Sequence, residues 1–109
     1  MSKNARKATD EATKRVQVLA ECWLKGHGFE RAKVEVYRRM PGRSIRVRVV
    51  DRQFSGKLLI DRDRMTQGFL GDVPEEIDQE ITLVLLLGPD ELKKDLMNAE
   101  FDNPTPVRL

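Results

Sequence analysis

Arginine is the residue type in this sequence best suited to bind a ligand. Six arginines crowd one short stretch of the chain, and two more follow at the start of a predicted helix. The six are Arg38, Arg39, Arg43, Arg46, Arg48 and Arg52, and the two are Arg62 and Arg64. Because a guanidinium can bind phosphate through two parallel hydrogen bonds, this pattern favours a nucleic-acid-binding surface. The residues we assign to it are Arg43, Arg46, Arg48, Lys57, Arg62 and Arg64.

An alternative interpretation of the same arginines is a solvated strand face. Arg46 and Arg48 would then pair with an acidic residue on the neighbouring strand, such as Glu35, since opposite charges across a strand pair attract. For Arg62 and Arg64 the alternative is pairing with Asp61 or Asp63. Both interpretations remain open from the sequence.

A second candidate is Gly68-Phe69-Leu70-Gly71. It has the form of the GxxG loop with which KH domains clamp a nucleic-acid backbone. Its middle residues are apolar, whereas a phosphate clamp favours a basic one. Glycines at helix ends are therefore the favoured explanation.

Neither catalysis nor metal binding finds support in the sequence. There is no Ser/His/Asp set and no phosphate-binding loop of the P-loop type. The chain has one cysteine, Cys22, and one histidine, His27, which excludes an internal disulfide and a cysteine-rich zinc site. We expect no enzyme activity, no metal and no cofactor. His27 suits the end of a helix, and Cys22 is expected to be a small buried hydrophobe.

Length and composition set the class of protein. The 109 residues are enough for one domain with a modest core. Apolar residues make up 39% and charged residues 35%, too apolar for a disordered chain and too charged for a membrane protein. The longest apolar run, residues 81–87, is far shorter than a membrane span. We therefore expect no membrane partner, and a cytoplasmic location as the default.

Charge is unevenly distributed along the chain. Residues 1–57 carry 15 Lys and Arg against 6 Asp and Glu, whereas residues 58–109 carry 5 against 12. A basic half can attract phosphates or acidic partners. Alternatively, the two halves neutralise each other within the fold.

Periodicity predicts seven elements in the order α-β-β-α-α-β-α. A helix is expected from about Asp10 to Lys25, followed by a hairpin of strands at 33–39 and 44–51. A helix capped by Asp61 and a second short helix with a capping box at residues 72–75 are expected, then a strand at 81–87. A last helix should start near Pro89 and bury Leu92, Leu96 and Ala99.

The predicted fold class is α+β, with a three-stranded mixed sheet and all helices packed on one of its faces. The second and third strands should be joined by a parallel crossover. Residues 1–8 are expected to form a flexible arm, residues 9–101 the single domain, and residues 102–109 an extended tail.

Four apolar residues are predicted to share the outer face of this sheet. They are Tyr37, Val50, Val84 and Leu86. Such a patch would form the interface with a protein partner or a second copy of the chain. Alternatively, the arm or the tail covers it.

The segment from Arg52 to Met65 resembles the signature of the BolA family. That signature is a phenylalanine, then Gly-Lys, then a leucine-rich step into an Arg-His-Arg helix start. Here these are Phe54, Gly56-Lys57, Leu58-Leu59-Ile60 and Arg62-Asp63-Arg64. The element order also matches that family over residues 10–102. The resemblance implies a fold related to class II KH domains and a role in nucleic-acid binding or transcription regulation.

Two departures bear on the family's cofactor. BolA proteins carry one histidine in the helix motif and another near the start of the third strand, and the second is a ligand when they share an iron–sulfur cluster with monothiol glutaredoxins. Here the helix-motif position is Asp63 and the ligand position is about Glu80. The family's other cluster ligand lies in the loop of the first hairpin, and that loop here has neither His nor Cys. A carboxylate is a poor cluster ligand. The resemblance therefore implies the fold without the shared cluster.

The sequence predicts two alternative functions. The first is a non-enzymatic regulatory module that binds nucleic acid through the basic hairpin. The second is a protein-interaction module that docks a glutaredoxin-like protein, another partner or a second copy through the sheet.

Overall fold

The computed structural model describes residues 2–3, 6–104 and 107–108. Residues 1, 4, 5, 105, 106 and 109, which belong to the predicted arm and tail, lie outside the described part. The strands are β1 (Ser2–Lys3), β2 (Arg6–Ala8), β3 (Lys33–Met40), β4 (Ser44–Val50), β5 (Ile81–Leu87) and β6 (Val107–Arg108). The helices are α1 (Glu11–Gly26), α2 (Leu59–Leu70), α3 (Glu75–Asp78) and α4 (Leu96–Asp102). Short 3₁₀ turns lie at Arg52–Phe54 and Pro89–Glu91.

The main sheet has four strands in the order β2-β3-β4-β5. β3 is antiparallel to both β2 and β4, whereas β4 and β5 are parallel, as the predicted crossover requires. The α+β class and the mixed sheet are thus confirmed, and the strand count of three is wrong. The fourth strand, β2, lies in the segment 1–8 for which we expected a flexible arm. In addition, β1 pairs with β6, so the described ends of the chain meet.

α1 begins where the sequence predicts, because Asp10 and Thr13 form a reciprocal cap. A carboxylate oxygen of Asp10 accepts from the backbone N–H of Thr13 at 3.0 Å. The Thr13 hydroxyl accepts from the backbone N–H of Asp10 at 2.8 Å. Two N–H groups that a helix start leaves without partners are thereby satisfied.

One face of the sheet, which we call the apolar face, is covered by α1 and α2. Its alternate residues Val34 and Val36 on β3 and Ile45, Val47 and Val49 on β4 are buried. They pack against helix residues in one core cluster, which also includes Val16, Ala20, Leu24, Phe29, Phe54, Phe69 and Leu86.

The opposite face, which we call the basic face, is covered by α4. Helices therefore lie on both faces, and the prediction of a one-sided sheet is wrong. α4 is also shorter than predicted and turned around: Leu96 and Ala99 are exposed, whereas Asn98 and Phe101 are buried. Phe101 takes the inner position because the aromatic ring of Tyr37 lies beneath it, and aromatic pairs bury much apolar area.

Candidate functional site

Arg46 and Arg48 lie side by side on the basic face, beneath α4. Arg46 Nη1 lies 3.1 Å from a carboxylate oxygen of Glu100. Arg48 Nη1 donates to Asp102 at 2.8 Å and to the Asn98 amide oxygen at 2.6 Å. Both arginine side chains are nearly buried, with 13% and 12% exposed. These two predicted phosphate ligands are thus already paired with acidic residues of α4.

An aromatic pair lies beside these arginines. The Tyr37 hydroxyl donates to the backbone carbonyl of Phe101 at 2.7 Å, and the two rings meet edge to face at 4.8 Å. The Arg48 guanidinium lies 4.6 Å from the Phe101 ring centre, and the Lys7 ammonium lies 5.2 Å from the Tyr37 ring centre. Burial raises the pKa of Tyr37 above its ordinary value, although the hydrogen bond with Arg46 opposes the shift.

Arg48 also pairs with Glu35 of the adjacent strand, as the alternative interpretation expected. Its Nε donates to Glu35 at 2.7 Å, and the register places the two residues opposite each other on β4 and β3. Glu35 in turn contacts Lys33 at 3.4 Å. Arg48 therefore has three acidic or amide partners, whereas Arg46 relies on Glu100 and longer contacts at 3.3 and 3.5 Å.

Arg62 lies inside the molecule instead of on a nucleic-acid surface. It is 8% exposed, and it donates to the backbone carbonyls of Leu86 and Phe54 at 3.0 and 2.8 Å. A carboxylate oxygen of Glu91 lies 3.0 Å from its Nη1. Arg62 thereby ties α2 to the end of β5 and to the 3₁₀ turns at either side.

The three remaining predicted phosphate ligands, Arg43, Lys57 and Arg64, are exposed but dispersed. Arg43 lies in the β3–β4 turn, and Lys57 follows the other end of β4. Seven strand residues separate these ends, so they lie about 20 Å apart. Arg64 lies on α2. The six predicted cations do not form one surface.

The predicted apolar patch is divided between the two faces. The register pairs Val47 with Val84 and Val49 with Leu86, which places Val84 and Leu86 on the apolar face. Tyr37 is buried under Phe101 on the basic face. Val50 borders a shallow cleft at the end of the sheet. Val84 and Leu86 were assigned to the wrong face of the sheet for two reasons. β5 is apolar on both faces, and the β4–β5 register shifts between Ile45 and Arg46.

Arg38, for which no burial was predicted, ties together the start of α1, the β3–β4 turn and the residue before β5. Its Nε donates to Asp10 at 2.7 Å, and its Nη1 donates to Glu80 and to the Arg43 carbonyl, both at 2.6 Å. A signal for this burial was present, because strand alternation puts residue 38 on the same side as Val34 and Val36. The Thr13 backbone N–H is the main cause that lowers the pKa of Asp10, and Arg38 adds to it against the desolvation.

The β5 strand leaves one of its two edges open. Within the described residues its only strand neighbour is β4. Its sequence, ITLVLLL, has no charged residue. Thr82 is exposed, and Ile81, Leu83, Val84 and Leu85 are partly exposed. We call residues 81–85 the open edge.

The GxxG-like segment has a structural explanation. A Cβ atom at Gly68 would come within 2.9 Å of the Trp23 ring, so a glycine there lets α1 and α2 approach closely. Phe69 is buried in the core. The ring of Trp23 also stacks on the ring of His27, with 3.9 Å between their centres, and His27 is the residue that ends α1. Cys22 is exposed, so the prediction that it is buried is wrong.

The described residues contain no group of three potential metal ligands. No helix among them is both long and apolar enough to cross a membrane. Comparison of the chain with protein-family models and with curated proteins gives no match. The resemblance to BolA proteins accordingly stays a prediction.

Proposed function

We propose that this protein is a non-enzymatic protein-interaction module, and that it takes an extended segment of a partner along the open edge of β5. The observation that supports the proposal is that β5, an edge strand, is long, apolar and free of charged residues. Natural sheets protect their edges with short strands, charges, proline or bulges, because a free edge is a template for another strand. β5 has seven residues and no charge or proline, and its register shift affects its first residues only.

The backbone of β5 offers hydrogen bonds at this edge. The Leu87 carbonyl accepts from Asp51 N–H on the β4 side at 3.0 Å. Since successive carbonyls of a strand point to opposite sides, the Leu86 carbonyl points outward, where Arg62 caps it. The same alternation directs the backbone groups of Val84 outward. Arg62 therefore closes the carboxyl-terminal end of the edge and leaves about five residues for an added strand.

The side chains of the open edge define the partner's chemistry. Leu83 and Leu85 lie on the basic face beside Arg46 and Arg48, whereas Val84 lies on the apolar face. A partner segment with small apolar residues at alternate positions would cover Leu83 and Leu85 on the basic face. The residue between them would lie beside Val84 on the apolar face, because side chains of an added strand alternate between faces. At the start of α2, the apolar residues Leu58, Leu59 and Ile60 are also 67%, 78% and 56% exposed.

A second copy of the chain fits this edge less well than a lone strand. α2 packs over β5, since Phe69 and Leu86 share the core and Arg62 reaches the Leu86 carbonyl. Antiparallel pairing of two β5 strands would bring two α2 helices close together on the same face, because each α2 packs beside its own β5, whereas packed helices need their axes about 8–10 Å apart. The proposed occupant is therefore an extended segment that carries no helix on that side.

The family resemblance supports a glutaredoxin-like protein as one partner of this kind, without a shared cluster. Glu80, which matches a cluster-ligand position, is paired with Arg38. Asp63 matches the histidine of the helix motif and is exposed. A carboxylate at the Glu80 position is a poor ligand for an iron–sulfur cluster.

The test is an NMR titration of the ¹⁵N-labelled protein with a capped pentapeptide of alternating Val and Thr. We expect the largest shift changes at residues 81–85. Thr82→Lys should remove most of them, because a charge on the edge opposes strand addition. Val18→Lys is the matched control, since Val18 is an exposed apolar residue on α1 and the change in charge is the same.

A second variant addresses the backbone directly. Val84→Pro removes an N–H that points away from β4, so the sheet should survive and peptide binding should not. Shift changes that fall elsewhere, or that persist in Thr82→Lys, would contradict the proposal. Sedimentation of the unmodified chain as a dimer that Thr82→Lys dissociates would make a second copy the occupant instead.

A further inference from the structure

The basic face, apart from the β5 edge, has the features of a second binding surface. We propose that the surface beneath α4 binds single-stranded nucleic acid, and that α4 occupies this surface as an intramolecular substitute for the ligand.

The basic face combines the two features that bind single strands. Arg46 and Arg48 lie on the same side of β4, two residues and thus about 7 Å apart. Tyr37 lies opposite Arg46 on β3, and Lys7 lies near its ring from β2. Proteins that bind single-stranded DNA or RNA combine cations that follow the phosphates with aromatic rings on which bases stack.

α4 supplies the same kinds of contact that a nucleotide strand would supply. The carboxylates of Glu100 and Asp102 take the place of phosphate oxygens at Arg46 and Arg48. The Phe101 ring lies against Tyr37 and over Arg48, in the place of a base. Its backbone carbonyl accepts the Tyr37 hydroxyl.

α4 leaves Arg46 incompletely bonded. The Arg46 Nε is buried and has no hydrogen-bond partner among the described residues. Its contacts to Glu100 and Tyr37, at 3.1 to 3.5 Å, are longer than those of Arg48. A buried donor without a partner costs free energy that an acceptor would recover. A phosphate offers more acceptor oxygens than Glu100 and could reach two nitrogens of Arg46 at once.

α4 is also weakly anchored. It has seven residues, too few for a stable isolated helix. Phe101 is its buried large apolar side chain, whereas Leu96 and Met97 are 86% and 48% exposed. Its attachment thus depends on one aromatic ring, on ion pairs, and on the hydrogen bonds from Arg48 to Asn98 and from Tyr37 to the Phe101 carbonyl. Displacement leaves Arg48 paired with Glu35, and frees Arg46 and Tyr37.

The experiment compares full-length variants for binding of a fluorescent oligothymidylate of about 12 nucleotides, by anisotropy over a salt series. Glu100→Gln with Asp102→Asn weakens α4 and should raise affinity at least about tenfold, because the competent state becomes more populated. Glu75→Gln with Glu76→Gln is the matched control. It makes the same change in net charge at two exposed residues of α3 and should leave affinity unchanged.

Two further measurements complete the test. Adding Arg46→Gln to the weakened variant should abolish the gain. In the unmodified chain, saturating oligothymidylate at low salt should speed amide hydrogen exchange at residues 96–102, which requires no variant to fold. Equal gains in both neutralised variants would show a net-charge effect and overturn the proposal. So would faster exchange of α4 in the weakened variant without a gain in binding, or unchanged exchange of α4 in the unmodified chain at saturation.

Discussion

The two faces of the four-stranded sheet are covered in different ways. On the apolar face, α1 and α2 bury Val36, Ile45, Val47 and other side chains that have no polar group. On the basic face, α4 covers Arg46, Arg48 and Tyr37 through carboxylates and one ring. Apolar burial stabilises without specific partners, whereas buried arginines stay favourable only while their acidic partners stay in place.

This difference determines which helix can detach while the rest of the domain stays folded. A helix held by apolar packing leaves only when the domain unfolds, because its removal exposes the core. A helix held by ion pairs and one ring can leave alone when another anion takes its place. The apolar face therefore maintains the fold, and the basic face is the one on which a ligand can compete. The predictions below test that contrast.

The largest effect is expected for Phe54→Ala on the apolar side. Phe54 is fully buried and stacks on Phe29 at 5.1 Å. Truncation leaves a cavity in the core and should lower the free energy of unfolding by about 3–5 kcal/mol. Urea unfolding followed by circular dichroism measures this loss. A loss below about 1 kcal/mol would mean that the core can close around the cavity.

Phe101→Ala should cost less, although Phe101 is only 2% exposed. If α4 detaches by itself, the loss cannot exceed the free energy of its docking, which we expect to be at most about 2 kcal/mol. Amide exchange should rise over residues 96–102 and stay unchanged in α1. A loss equal to that of Phe54→Ala in the same urea measurement would instead make α4 part of the cooperative core.

The sequence predicted the central elements because their patterns are strong. α1 has an apolar stripe and a cap at Asp10, β4 alternates regularly, and β3 alternates over residues 33–36. β2 was not found, since three residues, Arg6–Ala8, are too few to show a period. The sequence also could not predict which residues of β5 face which side of the sheet. Because β5 has apolar residues on both faces, its pattern does not specify its register against β4.

The candidate site was harder to predict than the fold. Arg46 and Arg48 were correctly placed on one strand face, and the alternative of a pair with Glu35 was correct for Arg48. That α4 covers Arg46 and Arg48 was not predicted, because the apolar residues Leu92, Leu96 and Ala99 suggested the wrong inner face for the last helix. Arg62 was expected outside, since no sequence pattern shows that the carbonyls of Leu86 and Phe54 need a donor there.

A smaller effect is expected at alkaline pH on the basic face. Burial raises the pKa of Tyr37, so the folded state favours the protonated phenol. The stabilisation is complete below the ordinary tyrosine pKa of about 10 and is lost as pH rises through the folded value. Tyr37 is the only tyrosine in the chain, so phenolate absorbance reports on it alone.

Release of α4 should accompany this titration, because a phenolate cannot donate to the Phe101 carbonyl. Amide exchange at residues 96–102 should therefore rise, after correction for base catalysis against α1. Tyr37→Phe keeps the ring and should remove the pH dependence of α4. An absorbance titration at the ordinary value would contradict the burial of the phenol under α4.

The smallest effect is expected at acid pH, where α1 meets the buried Arg38. The pKa of Asp10 is lowered chiefly by the Thr13 backbone N–H and further by Arg38, so the folded state favours the carboxylate. This stabilisation is present above the ordinary aspartate pKa of about 4 and is lost as pH falls through the lower folded value. The effect is limited because 43% of the Asp10 side chain is exposed.

Asp10→Asn isolates this contribution from those of other carboxylates. Asparagine is as good an N-cap as aspartate, so the variant keeps the helix start and loses the charge that faces Arg38. The difference in urea midpoint between the two chains should be constant near neutral pH and should shrink below about pH 4. Glu80, the other acidic partner of Arg38, is present in both chains and cancels in the comparison. A difference that is independent of pH would mean that the charge of Asp10 contributes no stability, and Arg38 would then depend on Glu80 for its charge partner.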